Sequence, residues 1–392
     1  MLKNEDIICI SWLVWNSIPL VMHQMMTRLA RNNRVLFVNP PEAYSNLIVD
    51  PSLWKNHWEK TLAWLRGIRR EDQNLFVYYP PPLILQYGHL RLVDRLNQTF
   101  TAYAIGRVAK QLGFKTPVLW IYHPYAIFPD GQFHEKLVCY DCNDDVAFFF
   151  CQIFGYKRKR LAMMEENLAK KADIVFATSK NLFHLRCSQN PHTHYLPSGV
   201  DLENFRKALS PALHPAPDIL DIPKPIIGFI GGMANPKMNW EWIKKASDTR
   251  ADWSFVFIGP CADKPPHYIT EKKNIHFLGA KPADRLPCYL KAFDVCLIPY
   301  RGDDFLKNCS PTKSFEYLAA GKPVVSSYIP ELEEYRHVIK LSKNENEFIA
   351  NIERAIEDGK NEAFVKNCIY LAEGKTWDAR VEEASYLIGK LL

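Results

Sequence analysis

No apolar run in this sequence approaches the ~18 residues that a membrane-crossing helix needs, so no segment reads as a transmembrane span. Residues 1–6 lead straight into an apolar strand-like run, which argues against a secretory leader. The ten cysteines sit mostly in apolar runs and lack the spacing of a disulfide scaffold, as expected for a reducing cytoplasm. Cys139 and Cys142 make a lone CxxC with no second pair; a strand with two buried thiols accounts for it better than zinc or redox chemistry. Charge of one sign is also scarce. The net +6 suits anionic small molecules or a lipid headgroup surface and is too small to argue for nucleic acid. GxGxxG is missing after the first strand, so a dinucleotide-binding reading has no fingerprint. Internal repeats and low-complexity segments are absent too.

What is present is a folded chain of two-domain length. Its 392 residues can build two cores, and 47% hydrophobic with 23% charged content excludes a disordered chain. The opening reads β-α-β: a strand over 6–11, a loop over 12–17 that carries Trp15, a helix over 19–31 and a strand over 34–39. Residues 51–70 place Trp54, Trp58 and Leu62 four apart among Lys55, Lys60, Arg66, Arg69 and Arg70. Such a helix either meets an anionic membrane surface with its aromatic anchors or packs on its own sheet. Further strands are expected over 75–79, 117–122, 136–140, 173–179 and 194–197, and helices over 90–112, 158–171 and 181–186. The basic run 157–160 marks a solvated helix start or a contact with acidic headgroups.

Residues 208–225 hold five prolines and are expected to link the domains. Domains are therefore expected over 1–207 and 226–376. The second alternates strands (226–231, 254–259, 275–279, 295–300, 324–327, 338–341) with helices. In such doubly wound sheets, chemistry collects beyond the C-terminal strand ends. In the second domain those ends carry Gly231, Gly232, Gly259 and Ala280, where glycine lets the backbone approach a diphosphate. In the first they carry His123, Asp144 and Asp145. His123 and Asp144 are candidates for binding a substrate hydroxyl or taking its proton, and Asp145 and Trp15 for contact with the same substrate, the acceptor if the chain transfers a group. The alternatives are a turn histidine before Pro124 and two aspartates that cap the next helix.

The densest signal is residues 310–325, SPTKSFEYLAAGKPVV, which follow the apolar run 295–300 and a polar stretch over 301–309 expected to be a loop. Ser310 suits an N-cap and Pro311 the first helical position; Gly321 and Pro323 stop the helix before the next strand. Backbone N–H groups of Thr312 and Lys313, with the Lys313 ammonium, suit a diphosphate. Glu316 shares a helix face with Lys313 and suits the two hydroxyls of a ribose. The plain alternative is a surface helix capped by Ser310, with Lys313 paired to Glu316.

That stretch, with IIGFIGG at 226–232, WSFVFIGP at 253–260, IHFLGA at 275–280 and LPSGVD at 196–201, resembles the group 1 glycosyltransferases of GT-B fold, particularly bacterial polysaccharide and teichuronic-acid enzymes. The resemblance implies an α/β chain of two Rossmann-like domains facing across a cleft, with a terminal helix (377–392) crossing back to the first. It implies transfer of a sugar from a nucleoside diphosphate sugar, UDP-linked or similar, to a glycan or lipid-linked acceptor in cell-surface polysaccharide synthesis. The enzyme would be cytoplasmic, in possible peripheral contact with the inner membrane face. It would need no cofactor and no metal, because lysines and a helix start hold the diphosphate.

The family's phosphate-binding arginine and lysine, five residues apart, fall on Gly232 and Lys237; its paired glutamates fall on Asn308 and Glu316. Lys237 and Lys313 would then stabilise the leaving group, and Asn308 would bond a donor-sugar hydroxyl without the charge of a carboxylate. Gly232 and Asn308 keep two other readings open. A sugar-nucleotide epimerase of the same fold would turn over its donor without acceptor. A non-catalytic partner subunit would bind no nucleotide sugar.

Overall fold

Mostly apolar strands of three to six residues alternate with helices along most of the described residues, and parallel pairing of such strands requires a crossover between each pair. The computed structural model describes residues 2–17, 20–43, 54–83, 91–124, 128, 131–148, 151, 158–235, 237–261 and 263–392. It has two compact units: Met1–Pro197 together with Arg380–Leu392, and Ser198–Ala379.

The first unit is built on an eight-stranded sheet in the order β3-β4-β2-β1-β5-β6-β7-β8. Its strands are β1 (Asp6–Ile10), β2 (Arg34–Val38), β3 (Arg69–Asp72), β4 (Leu75–Tyr78), β5 (Val118–Ile121), β6 (Leu137–Cys142), β7 (Ile174–Ala177) and β8 (Thr193–Tyr195). The helices are α1 (Val21–Leu29), α2 (Trp54–Arg66), α3 (Arg91–Gln111), α4 (Arg158–Lys171) and α5 (Lys180–Cys187). Strands β1 and β5 are buried on both faces, which is why they read as unbroken apolar runs. Residues 51–53 lie outside the described residues, and the helix expected to run to 70 stops at Arg66. Gly67 takes φ +78°, and Arg69–Asp72 turns back to pair antiparallel with β4. A left-handed glycine ends the helix despite the basic residues that follow.

The second unit holds a wholly parallel six-stranded sheet, β11-β10-β9-β12-β13-β14. Its strands are β9 (Ile226–Ile230), β10 (Ser254–Ile258), β11 (Ile275–Gly279), β12 (Val295–Ile298), β13 (Val324–Ser327) and β14 (Ile339–Ser342). The helices are α6 (Leu202–Arg206), α7 (Trp240–Thr249), α8 (His267–Thr270), α9 (Leu286–Ala292), α10 (Asp303–Asn308), α11 (Lys313–Ala319), α12 (Glu345–Asp358) and α13 (Glu362–Glu373). The last helix, α14 (Trp377–Gly389), begins here and continues into the residues grouped with the first unit.

Two expectations change in this unit. The proline-rich stretch 208–225 lies inside it, beyond the division at Pro197/Ser198. Ala208, Ala216 and Ile219 are buried, the Lys291 ammonium donates to the Ser210 carbonyl at 2.6 Å, and the Tyr289 hydroxyl donates to Asp218 at 2.8 Å. Prolines here shape a packed segment. The loop expected over 301–309 contains α10, because Phe305 turns inward against the Tyr300 ring, 5.9 Å between centroids.

Strand order reverses between β9 and β12 in the second sheet and between β1 and β5 in the first. These are the positions where an open α/β sheet leaves a crevice at its carboxyl ends.

Candidate functional site

At the reversal in the second sheet, Ile230 donates its N–H to the Tyr317 hydroxyl at 2.8 Å, and that hydroxyl donates to the Ile230 carbonyl at 3.3 Å. Tyr317 lies fully buried in α11, so these bonds pin the helix to the end of β9. Gly231 follows with φ +151°. A Cβ there would stand 2.9 Å from Cε and 3.2 Å from Nζ of Lys313. Gly259, ending β10 at φ +138°, would place its Cβ 2.1 Å from the Gly231 carbonyl oxygen. The two strand ends thus approach more closely than side chains permit, and the bare backbone leaves room for Lys313. Gly232 is exposed with nothing near its missing side chain.

Lys313 opens α11 and donates from Nζ to the Tyr300 hydroxyl oxygen at 2.5 Å. Its ammonium lies 5.2 Å from the centre of the Tyr300 ring, and that of Lys237 lies 4.3 Å from the same centre. Tyr300, just beyond β12, therefore gathers two cations, one by its oxygen and both by its ring. Among the described residues no carboxylate forms an ion pair with Lys313. Two ammonium groups held this close favour a ligand of multiple negative charge.

Glu316, one turn along, is partly buried. Burial pushes its carboxyl group up to about 7; the Lys313 ammonium opposes the rise and Asp201 adds to it. Asp201 caps α6 by accepting from the Asn204 N–H at 3.2 Å. A carboxyl poised this way can accept from a diol once ionised. The surface-helix alternative fails here, since Lys313 bonds Tyr300 and makes no ion pair with Glu316.

The expected cap also differs. Thr312 occupies the cap position in helical conformation with no side-chain cap bond, and Ser314 donates both its N–H and its hydroxyl to the Pro311 carbonyl, at 3.1 and 2.7 Å. Ser310 is left before the helix, partly buried like Thr312 and like Asn308 at the end of α10. Ala280 is exposed beyond the edge strand β11, and β10 lies between that strand and β9.

Arg301 went unnoticed in the sequence. Its guanidinium donates to the Asn235 carbonyl at 3.0 Å and its N–H to the Lys237 carbonyl at 2.9 Å. It brings an arginine to the loop whose own first position is Gly232. Tyr300 was missed as well, because it closes the apolar run VCLIPY and reads as part of a buried strand. The signal was its place as the first large polar side chain after the strand end.

In the first unit, Trp15 and His123 follow the two strands that flank the other reversal. Trp15 donates its N–H to Asn39 at 2.6 Å and packs against the rings of His23 and Phe37 at 5.3 and 4.9 Å. His123 is buried, and burial lowers its pKa to about 4, so the imidazole is neutral at physiological pH. Asp144 accepts from the Asp145 N–H and Asp145 from the Phe148 N–H, both at 2.9 Å. The capping alternative thus holds for Asp145, whereas Asp144 keeps a partly exposed carboxylate. Among the described residues no group of three or more His, Cys, Asp or Glu side chains could hold a metal ion, and no helix is long and apolar enough to cross a membrane.

Residues 224–358 match the sequence model of a family described as Glycosyl transferases group 1. Among curated proteins, the chain is 27% identical over 281 residues to TuaH of Bacillus subtilis (strain 168), which is named, provisionally, as a teichuronic acid biosynthesis glycosyltransferase; the alignment covers 66% of this chain and 68% of TuaH. Among solved structures it resembles the sucrose-phosphate synthase of Thermosynechococcus elongatus, with TM-score 0.71, 15% identity and 99% of each chain covered. It also resembles Anabaena HepE in complex with UDP-glucose, with TM-score 0.65, 13% identity, and 99% of this chain and 100% of that one covered. The fold is GT-B.

Proposed function

We propose that this chain, a glycosyltransferase of GT-B fold with a group 1 domain in its second unit, moves a sugar from a nucleoside diphosphate sugar to a glycan or lipid-linked acceptor in cell-surface polysaccharide synthesis. The observation that carries the donor half is the gathering of Lys313 and Lys237 on Tyr300 beside the bare backbone of Gly231. In the transfer, the bond between the anomeric carbon and the diphosphate oxygen breaks, and that oxygen gains negative charge. Lys313 and Lys237 meet that charge without reorganising, which is the condition for stabilising a transition state beyond the ground state. Glu316 takes the ribose, Gly231 and Gly259 let the backbone close on the diphosphate, and Ser310, Thr312 and Asn308 line the donor's remaining hydroxyls. The acceptor oxygen forms the new bond and gives up its proton. We assign that proton to Asp144 and the positioning of the hydroxyl to His123, since a buried imidazole of lowered pKa is a weak base.

The relatives' names support this reading on both sides: HepE is described with UDP-glucose, and TuaH is named for teichuronic acid biosynthesis. A peripheral membrane location fits the same reading. Trp54 and Trp58 on α2 are 60% and 54% exposed and stack on each other with centroids 6.5 Å apart. Aromatic anchors beside basic residues suit an anionic inner leaflet. All ten cysteines are free, as suits the cytoplasm.

Calorimetry tests the donor half. Lys313→Ala should spare a bare nucleoside, weaken the nucleoside diphosphate, and slow turnover beyond its effect on binding. Glu316→Gln should weaken even the nucleoside, by very roughly ten- to a hundredfold for a charged hydrogen bond. Parent-like binding of both ligands by both variants would remove the nucleotide from this site.

A further inference from the structure

Helix α3 turns an apolar stripe to solvent. Leu92 is 71% exposed, Leu96 63%, Phe100 55% and Tyr103 64%, spaced four, four and three residues apart along one face. Its opposite face, with Ala102, Ile105, Val108 and Ala109, belongs to the core. The exposed face continues C-terminally as Arg107 and Lys110. Those two, with Tyr103, Phe114 and Lys115, line a surface cavity of about 560 Å³ whose wall, among the described residues, holds no acidic side chain.

Among the described residues, the neighbouring carboxylates are already engaged, Glu135 by accepting from the Gly131 and Phe133 N–H groups at 2.7 and 2.9 Å. Asp94, the single acid in α3, is buried against Arg160. Asp6, which accepts from the Lys115 N–H, pairs with Arg34 at 2.6 Å. Arg34 also donates to the Leu112 and Gly113 carbonyls at 3.0 and 3.2 Å, offsetting the negative end of the helix dipole. Among the described residues Arg107, Lys110 and Lys115 make no ion pair.

We propose that this face of α3 docks on an anionic membrane, with Leu92, Leu96 and Phe100 entering the apolar layer and Tyr103 at its boundary, and that the Arg107–Lys110–Lys115 cavity takes the phosphate of a lipid headgroup. The charge pattern selects this occupant. A protein partner or second copy would need acidic groups to match the cavity, whereas a leaflet of phospholipid presents phosphate beside hydrocarbon. The site is separate from the α2 contact and does not rest on the donor reading.

Vesicle flotation of the full chain tests it, with phosphatidylcholine alone and with phosphatidylglycerol added. The parent should float with the anionic vesicles and release as salt rises. Removing Arg107, Lys110 and Lys115 together, each to Gln, should lower partitioning by roughly a hundredfold, at about fivefold per charge. The same loss of three charges elsewhere, at Lys244, Lys245 and Lys360, should cost far less. Leu96→Asn with Phe100→Asn should weaken binding at low and high salt alike, and Trp54→Ser with Trp58→Ser should leave the headgroup dependence intact. Melting curves check that each variant is folded. The proposal is overturned if the α3 charge variant binds no worse than the control, or if neutral vesicles bind equally well. It also falls if the Leu96 and Phe100 changes alter only self-association in sedimentation.

Discussion

Replacing Glu316 by Gln should make the protein more stable and a poorer nucleoside binder at once, with a gain that depends on pH. Burial holds this carboxyl group near a pKa of about 7 in the folded chain, against an unfolded value of 4.5. Between those two values the unfolded chain has released a proton that the folded chain keeps, so stability falls as pH rises. Below the unfolded value both states are protonated and the variant gains little; above about 7 the folded chain carries the whole cost of a desolvated carboxylate. A shift of this size is worth at most about 3 kcal/mol. The side chain is partly exposed, and solvent screening reduces that to roughly 1–2 kcal/mol.

For a unit of this size, that gain raises Tm by roughly 2–8 °C at about pH 8 and far less at about pH 5. Asp141, which burial also pushes up to about 7, titrates in the same window but is common to both proteins and cancels in the comparison. Thermal melts of parent and variant at the two pH values give the result directly. The parent's nucleoside affinity should also rise with pH through 7, because only the ionised group accepts from both ribose hydroxyls, while the variant's affinity stays flat. A stability difference that is equal at both pH values, or larger in acid, would refute a desolvated carboxylate at this site. Such a group is retained at a cost in stability because the site uses it.

Gly231→Ala forces a Cβ to within 2.9 Å of Lys313 Cε at a φ of +151°. It should cost about 1–3 kcal/mol of stability and weaken nucleoside diphosphate more than nucleoside. Gly232→Ala, with open space around it, should stay within about 0.5 kcal/mol of the parent; equal effects in melting and calorimetry would contradict the cradle. Tyr300→Phe deletes the oxygen that Lys313 bonds and keeps the ring. Turnover should fall roughly two- to tenfold with little change in donor KM. A raised KM at unchanged kcat would mean that Tyr300 serves ground-state binding alone.

Much of this was legible in the residues themselves. Strand and helix patterns survive in the structure because period and punctuation are local properties: apolar runs bounded by glycine and proline became β9, β10, β12 and β13, and the stretch 310–325 became a helix between two strands. The failures came where a distant contact overrode a local preference. Ser310 had the chemistry of a cap, but the Pro311 carbonyl accepts from Ser314 and the helix starts later. The proline-rich stretch had the composition of a linker, but Ala208 and Ile219 found a core to enter.

The sequence by itself determined that Lys313 and Glu316 would share one helix, that glycine would stand at the ends of β9 and β10, and that the chain would form two units on largely parallel sheets. Local spacing and backbone freedom require no knowledge of what lies nearby. Only the tertiary structure decided which strand ends become neighbours. Val295 pairs with Ile227, and the Ile226 N–H donates to Asp294 at 2.7 Å across a separation of 68 residues. That pairing sets β12 beside β9 and so brings Gly231, at the end of β9, to Lys313. No periodicity encodes it, because strand order follows from how whole faces bury against one another.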